Sequence, residues 1–276
     1  MSALAATLDV ARSNLAAPPA VGRRRGRPPL PDGELLAAIE DVIAKLPTYG
    51  YRRVWAKVRD IYVRRGQKAP NHKRVYATMK RHGLLLQRHT GALEERRHDG
   101  TIAVPRSDQR WCSDTFEIAC DNAERVRVAF ALDCCDREAI RWLATTGGID
   151  GDAVCDLMLE SVEQRFGEPE RIPARIQWLS DNGSPYTKGD TRKFAGTLGL
   201  IPCRTPVRSP QSNGMAEAFV KTMKRDYVGV YGAPDAATVL QNLSSWFEHY
   251  NEEHPHKALR YKSPREFRRS KLRDTP

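Results

Sequence analysis

No C-x-x-C pair occurs among the six cysteines, Cys112, Cys120, Cys134, Cys135, Cys155 and Cys203. That spacing argues against a zinc site or a disulfide framework, and cysteines in mostly apolar runs read as buried thiols of a reducing compartment. No apolar run approaches the roughly 18 residues that a membrane span needs. The first 20 residues, rich in alanine, lack a compact apolar core ahead of a cleavage pattern, so a secretory leader is not expected and a cytoplasmic setting is. No glycine-rich turn joins a strand to a helix: GRRRGRPP, at 22–29, has neither beside it, which sets aside a doubly wound nucleotide-binding fold. Ser180 and Ser184 sit in no G-x-S-x-G elbow, and no internal repeat is found.

Charge is plentiful but uneven. The formal net charge is +11, and residues 1–100 hold 20 of the 45 Lys and Arg against only 9 of the 34 Asp and Glu, leaving the rest of the chain balanced. A basic front half suits a polyanion partner through backbone attraction, against the plainer reading of a basic surface.

Residues 1–33, with five prolines between 17 and 31, read as a disordered basic arm in which Arg24, Arg25 and Arg27 could follow a minor groove or touch phosphates. Over 34–88 apolar residues recur at helical spacing in three segments: Leu35, Ile39, Val42 and Ile43; then Val54, Val58 and Ile61; then Val75 and Met79. Asn71 is placed to cap the third helix and Gly83 to stop it. Arg52, Arg53, Lys73, Arg74 and Lys80 fall on the remaining faces, giving a small helix-turn-helix-like module suited to DNA. Residues 89–108 read as a linker, 109–250 as a core and 251–276 as a C-terminal extension.

In the core the order is three strands, a helix, a strand, a helix, a strand and long helices over 213–227 and 235–250. It predicts an α/β fold with a mixed sheet flanked by helices. A hairpin turn centred between Asn122 and Ala123 would set Asp114 opposite Ala131 and bring Asp133 onto the same sheet face. Asp181 closes the strand 176–179, where open sheets present ligands at strand C-terminal ends. Glu217 lies in the early turns of the helix 213–227, with Lys221 and Lys224 at i+4 and i+7 on its face, while Met215, Phe219 and Met223 lie opposite and can seat the helix. Each acid has a plain alternative, an edge hydrogen bond for Asp114, a turn for Asp181 and a surface ion pair with Lys221 for Glu217. Gathered in one cleft, however, three carboxylates repel one another unless a divalent cation compensates. Mg²⁺ accepts such hard oxygen ligands, and two ions about 4 Å apart serve in-line phosphoryl displacement. His249, His254 and His256 have no firm metal spacing and read as packing residues.

WCSDTFE, FALDCCDREAIRW, WLSDNGSPY and VRSPQSNGMAEAFVKTMKRDY together resemble the core of bacterial insertion-sequence transposases with a ribonuclease-H-like, retroviral-integrase-type catalytic domain. The nearest branch encodes its transposase in two overlapping frames, and this chain resembles the second over about 34–269. The 35 residues between Asp181 and Glu217 match that family's D, D, 35, E pattern. The resemblance implies Asp114, Asp181 and Glu217 as ligands of Mg²⁺ or Mn²⁺, two ions in all, with Lys224 as the basic residue seven positions after the glutamate. It implies attack by water, then by a DNA 3′-hydroxyl, on phosphodiesters at element ends and target, in a homo-oligomeric synaptic complex on the bacterial nucleoid. Asp133 and Arg137 fall in a similar stretch without being assigned as ligands. Relatives of this kind act as longer fusions whose upstream frame adds a recognition motif and an oligomerisation helix; residues 1–33 match neither, so the upstream-frame product is a candidate partner. A catalytically silent DNA-binding regulator and a simple nuclease are the rival functions.

Overall fold

A computed structural model of the chain describes residues 2–9, 31–87, 102–168, 172–180, 183–187, 189–204 and 214–273. Arg24, Arg25, Arg27 and Asp181 lie outside the described residues. The chain divides into two units, Met1–Glu34 and Leu35–Pro276. In the first, α1 (Ser2–Thr7) is a six-residue helix.

Three expected helices follow, α2 (Gly33–Lys45), α3 (Tyr51–Arg64) and α4 (His72–Arg81). Their inward residues, among them Leu35, Ile39, Val54, Val58, Val75 and Met79, form one apolar cluster. Asn71 caps α4, its side chain accepting the Arg74 N–H at 2.8 Å. Beyond α4, Gly83 takes a left-handed φ of 68°, a conformation that costs other residues more.

A five-stranded sheet follows: β1 (Arg110–Ala119), β2 (Arg125–Asp133), β3 (Ala139–Thr145), β4 (Ile176–Ser180) and β5 (Leu200–Arg204), in the order β3-β2-β1-β4-β5. β1 pairs antiparallel with β2 and parallel with β4, which makes it the central strand of a mixed sheet. On one face α5 (Gly151–Phe166) and α6 (Gly189–Thr197) bury Val154, Leu157 and Ala195 against Trp111 and Trp178. On the other, α7 (Gly214–Met223) and α8 (Ala236–Glu253) bury Met215, Phe219, Trp246 and Phe247 against Phe116, Phe130 and Leu132. Each such large apolar side chain contributes about 1.5–3 kcal/mol. A last helix, α9 (Pro264–Arg273), which the sequence pattern did not reveal, packs on α8.

The hairpin differs from expectation by one residue. Cys120 donates its N–H to the Glu124 carbonyl at 2.9 Å, leaving a three-residue loop in which Ala123 adopts φ 69°. Asp114 therefore pairs with Phe130 and not Ala131, and Asp133 pairs with Trp111. A shift of one position turns a residue to the other side of a sheet, so Asp133 does not share Asp114's face.

Two further corrections concern helices and thiols. The helix expected over 213–227 is α-helical only to Met223 and continues as a π-turn over Lys224–Val228. Cys112, Cys120 and Cys134 are buried, whereas Cys135, Cys155 and Cys203 are only partly so; all six are free thiols. Among the described residues no helix is long and apolar enough to cross a membrane.

Candidate active site

Asp114 lies in the middle of β1, half-buried, and its Oδ1 accepts the N–H of Thr115 at 2.8 Å. Beside it runs β4, with Leu179 opposite Cys112. β4 ends at the buried Ser180, whose peptide bond leads to Asp181. The turn that resumes after Asp181 is tied back to β1: the hydroxyls of Tyr186 and Ser113, the residue before Asp114, are hydrogen-bonded at 2.9 Å.

The helix that carries Glu217 packs on the face of Asp114. Phe130, the register partner of Asp114, meets the Phe219 ring at a centroid distance of 4.5 Å. Phe219 is buried with Met215, Ala216 and Met223, so the apolar stripe of α7 is fixed on the sheet and Glu217 is left at its margin. The Glu217 carboxylate is 37% exposed and lies 3.7 Å from Lys221 Nζ. Lys221 and Lys224 are exposed. Leu179, near the end of β4, joins Cys112, Phe130, Met215 and Phe219 in one apolar cluster on the face of Asp114, whereas the Ser113–Tyr186 bond lies on the opposite face. Among the described residues no group of three or more His, Cys, Asp and Glu side chains is placed to hold a metal ion.

Asp133 belongs to a different cluster. The guanidinium of Arg165, on α5, is 1% exposed and contacts Asp108 at 2.7 Å, Asp136 at 3.2 Å, Asp133 at 3.5 Å and also Glu138. Arg265 and Arg268 of α9 reach Glu138 as well, at 2.8 and 3.3 Å. Asp133 accepts the N–H groups of Asp108, Cys135 and Asp136. Burial, with Asp136 beside it, pushes the Asp133 carboxyl up to about 7. Residues from the strand 1 approach, the β2–β3 turn, α5 and α9 are clipped together here, far apart in sequence and without a motif to announce them.

The basic residues of the helical module divide into two sets. Lys73 and Lys80 of α4 are exposed, and Arg74 is half-buried. On α3, Arg53 donates to Asp226 Oδ2 at 3.0 Å with its guanidinium 5.3 Å over the Tyr49 ring, and Lys57 pairs with Glu253. The Arg52 guanidinium lies 5.4 Å over the Tyr51 ring. α3 thereby grips the core. His254 is buried and His256 half-buried, and burial pushes the His256 imidazole down to about 3 and that of His254 well below its usual range. His254 Nδ1 is hydrogen-bonded to the Tyr49 hydroxyl at 2.9 Å, and His249 Nδ1 to that of Tyr227 at 3.0 Å, consistent with packing roles.

A central strand flanked by parallel and antiparallel neighbours, with an acid at its middle and a helix-borne glutamate packed above, defines the class when set beside known proteins. Two models of the integrase core domain match residues 104–210 and 198–264, and a model of an HTH-like domain matches residues 31–90. The protein is thus an integrase-core polynucleotidyl transferase with a ribonuclease-H-like fold. Transposase InsD for insertion element IS2A/D/F/H/I/K of Escherichia coli is 54% identical over 242 residues, which span 87% of this chain and 80% of that protein. InsD for insertion element IS2-9, from strain K12, is also 54% identical over 242 residues and is covered to 78%. The chain belongs to this family of insertion-element transposases. In fold it is also similar to a chain of the simian T-cell lymphotropic virus intasome, with TM-score 0.50 and 11% identity over 83% of this chain and 73% of that one.

Proposed function

We propose that the chain is a DDE transposase that cleaves DNA at the ends of an insertion element and joins the freed ends to a target, with Asp114, Asp181 and Glu217 as its metal-binding triad. The observation that supports this reading is that Leu179, near the end of β4, and Met215 and Phe219 of α7 share one apolar cluster with Cys112 and Phe130, on the sheet face of Asp114.

The donor set fits a hard divalent cation: carboxylate oxygens, without a thiol or imidazole among them, suit Mg²⁺ or Mn²⁺. Two bound ions would activate the attacking oxygen and stabilise the leaving one. The chain's own part is to hold the three carboxylates together, Asp114 in the middle of β1, Asp181 directly after the parallel strand β4 in sequence, and Glu217 on a helix seated by Phe219. Lys221 and Lys224, exposed along that helix, bind the phosphates flanking the scissile bond. In each step an oxygen of water or of a DNA 3′-hydroxyl bonds to phosphorus as the P–O bond opposite breaks, so no covalent enzyme intermediate forms. Residues 34–88 serve as a DNA-binding module in which Lys73, Arg74 and Lys80 of α4 face phosphates, with Arg24, Arg25 and Arg27 as an arm, and 109–250 form the catalytic core. Synapsis of two element ends calls for a homo-oligomer, joined where present by the upstream-frame product.

The test is incubation of the chain with duplexes carrying candidate element ends and Mg²⁺. Joined products are expected from the parental chain, and Asp181→Asn should retain DNA binding while joining is lost. Joining at the parental rate by that variant would remove Asp181 from the triad; nicks alone would indicate a nuclease, and retarded but intact DNA a silent binder.

A further inference from the structure

The π-turn that ends the Glu217 helix is held from outside by the helical module. Over Lys224–Val228 the helix widens, and Gly229 closes the turn by donating its N–H to the Lys224 carbonyl. A Cβ at Gly229 would lie 3.2 Å from that oxygen, tighter than an ordinary contact, so glycine suits the position. One extra residue in a turn rotates the chain beyond it by about 100° relative to an unbroken helix, and π-turns persist where surroundings fix them.

Here the fixing group is Asp226, whose side chain is 2% exposed. Its carboxylate accepts two bonds from the neighbouring Arg225, both at 2.6 Å, and one from Arg53 of α3 at 3.0 Å. His254 Nδ1 lies 3.9 Å away, but burial keeps that ring neutral, so the two arginines carry the compensating charge. Arg53 is itself oriented by the Tyr49 ring, and Tyr49 by His254. A buried carboxylate that loses one such partner is strongly destabilised where it stands. The contact therefore couples α3, in the DNA-binding module, to the π-turn that begins at Lys224 and directly continues the helix bearing Glu217 and Lys221.

We infer that Asp226, clasped by Arg53 at this π-turn, is a positioning residue: it lets the helical module set the rotation of α7 and so the placement of the Glu217 carboxylate. The inference rests on Glu217 being a metal ligand as proposed above. The catalytic helix is thereby tied to the part of the molecule that engages DNA.

The experiment compares the full chain with Arg53→Gln, Arg53→Lys and Asp226→Asn, using amide hydrogen exchange and, separately, Mg²⁺ titrations of end cleavage. Arg53 is 26% exposed, so its substitution leaves the core closed and keeps the test informative if Asp226→Asn does not fold. Loss of one hydrogen bond to a charged group should raise exchange over residues 214–228 about tenfold in Arg53→Gln, with α8 unchanged and Arg53→Lys restoring part of the protection. The half-saturating Mg²⁺ concentration should rise several-fold, on the order of the same loss, while retention of duplex DNA stays near parental. Unchanged exchange over 214–228 and an unchanged Mg²⁺ midpoint in folded variants would overturn the inference, as would equal loosening of α7 and α8. If the parental chain does not cleave at all, the functional reading fails, and the exchange result still decides whether the clasp fixes the helix.

Discussion

Asp114 and Asp133 sit on adjacent strands of one sheet, three register positions apart, and face opposite ways. Around Asp133 the chain supplies its own neutralisation: Arg165 is buried among four carboxylates, and Arg265 and Arg268 close over Glu138. Around Asp114 the contacts are of another kind, a neighbouring N–H at 2.8 Å and, for Glu217, an exposed lysine of its own helix at 3.7 Å. Acids answered by buried arginines clip elements together; a half-buried acid in a central strand and a partly exposed one on the helix packed over it suit a ligand from outside. The difference separates stability from chemistry, and substitutions on the two faces should separate them too.

The largest effect is expected from Glu217→Gln. Single-turnover joining should fall at least about a thousandfold, on the order of 4 kcal/mol in barrier, with a change in unfolding free energy within about 0.5 kcal/mol. Arg165→Met should show the reverse profile. Leaving its buried carboxylates without their shared partner should cost about 3–5 kcal/mol in urea unfolding. Equal losses of stability in the two variants would break the contrast.

A smaller effect concerns pH. With its folded value raised to about 7 from an ordinary 3.8, Asp133 favours folding when protonated. That contribution is complete below 3.8 and is lost as pH rises through 7. Asp133→Asn should therefore gain on the parental chain in urea midpoints measured from pH 4.5 to 7.5; a constant gap would mean that Asp133 is ionised throughout.

Much of this arrangement can be read in the sequence because it is local. Apolar spacing yields α2 to α4 and the seating of α7 by Met215, Phe219 and Met223; Asn71 yields a cap; strand order yields the mixed sheet. The Asp133 placement failed because a single residue in the hairpin loop decides register, and Asp-Asn-Ala is compatible with either turn. The π-turn was hidden because Asp226, following Lys224 and Arg225, looks like a surface charge until α3 brings Arg53 to it. The Arg165 cluster joins residues from 108 to 268, a pairing that no periodicity encodes.

The proposed shared metal site can be tested most directly by replacing Mg²⁺ with Fe²⁺ and mapping where the bound ion cuts the polypeptide under reducing, oxygenated conditions. The triad requires cuts clustered near 114, 181 and 217, all suppressed by excess Mg²⁺. Cuts confined to the Asp133, Asp136 and Glu138 region, or to one of the three segments alone, would contradict it.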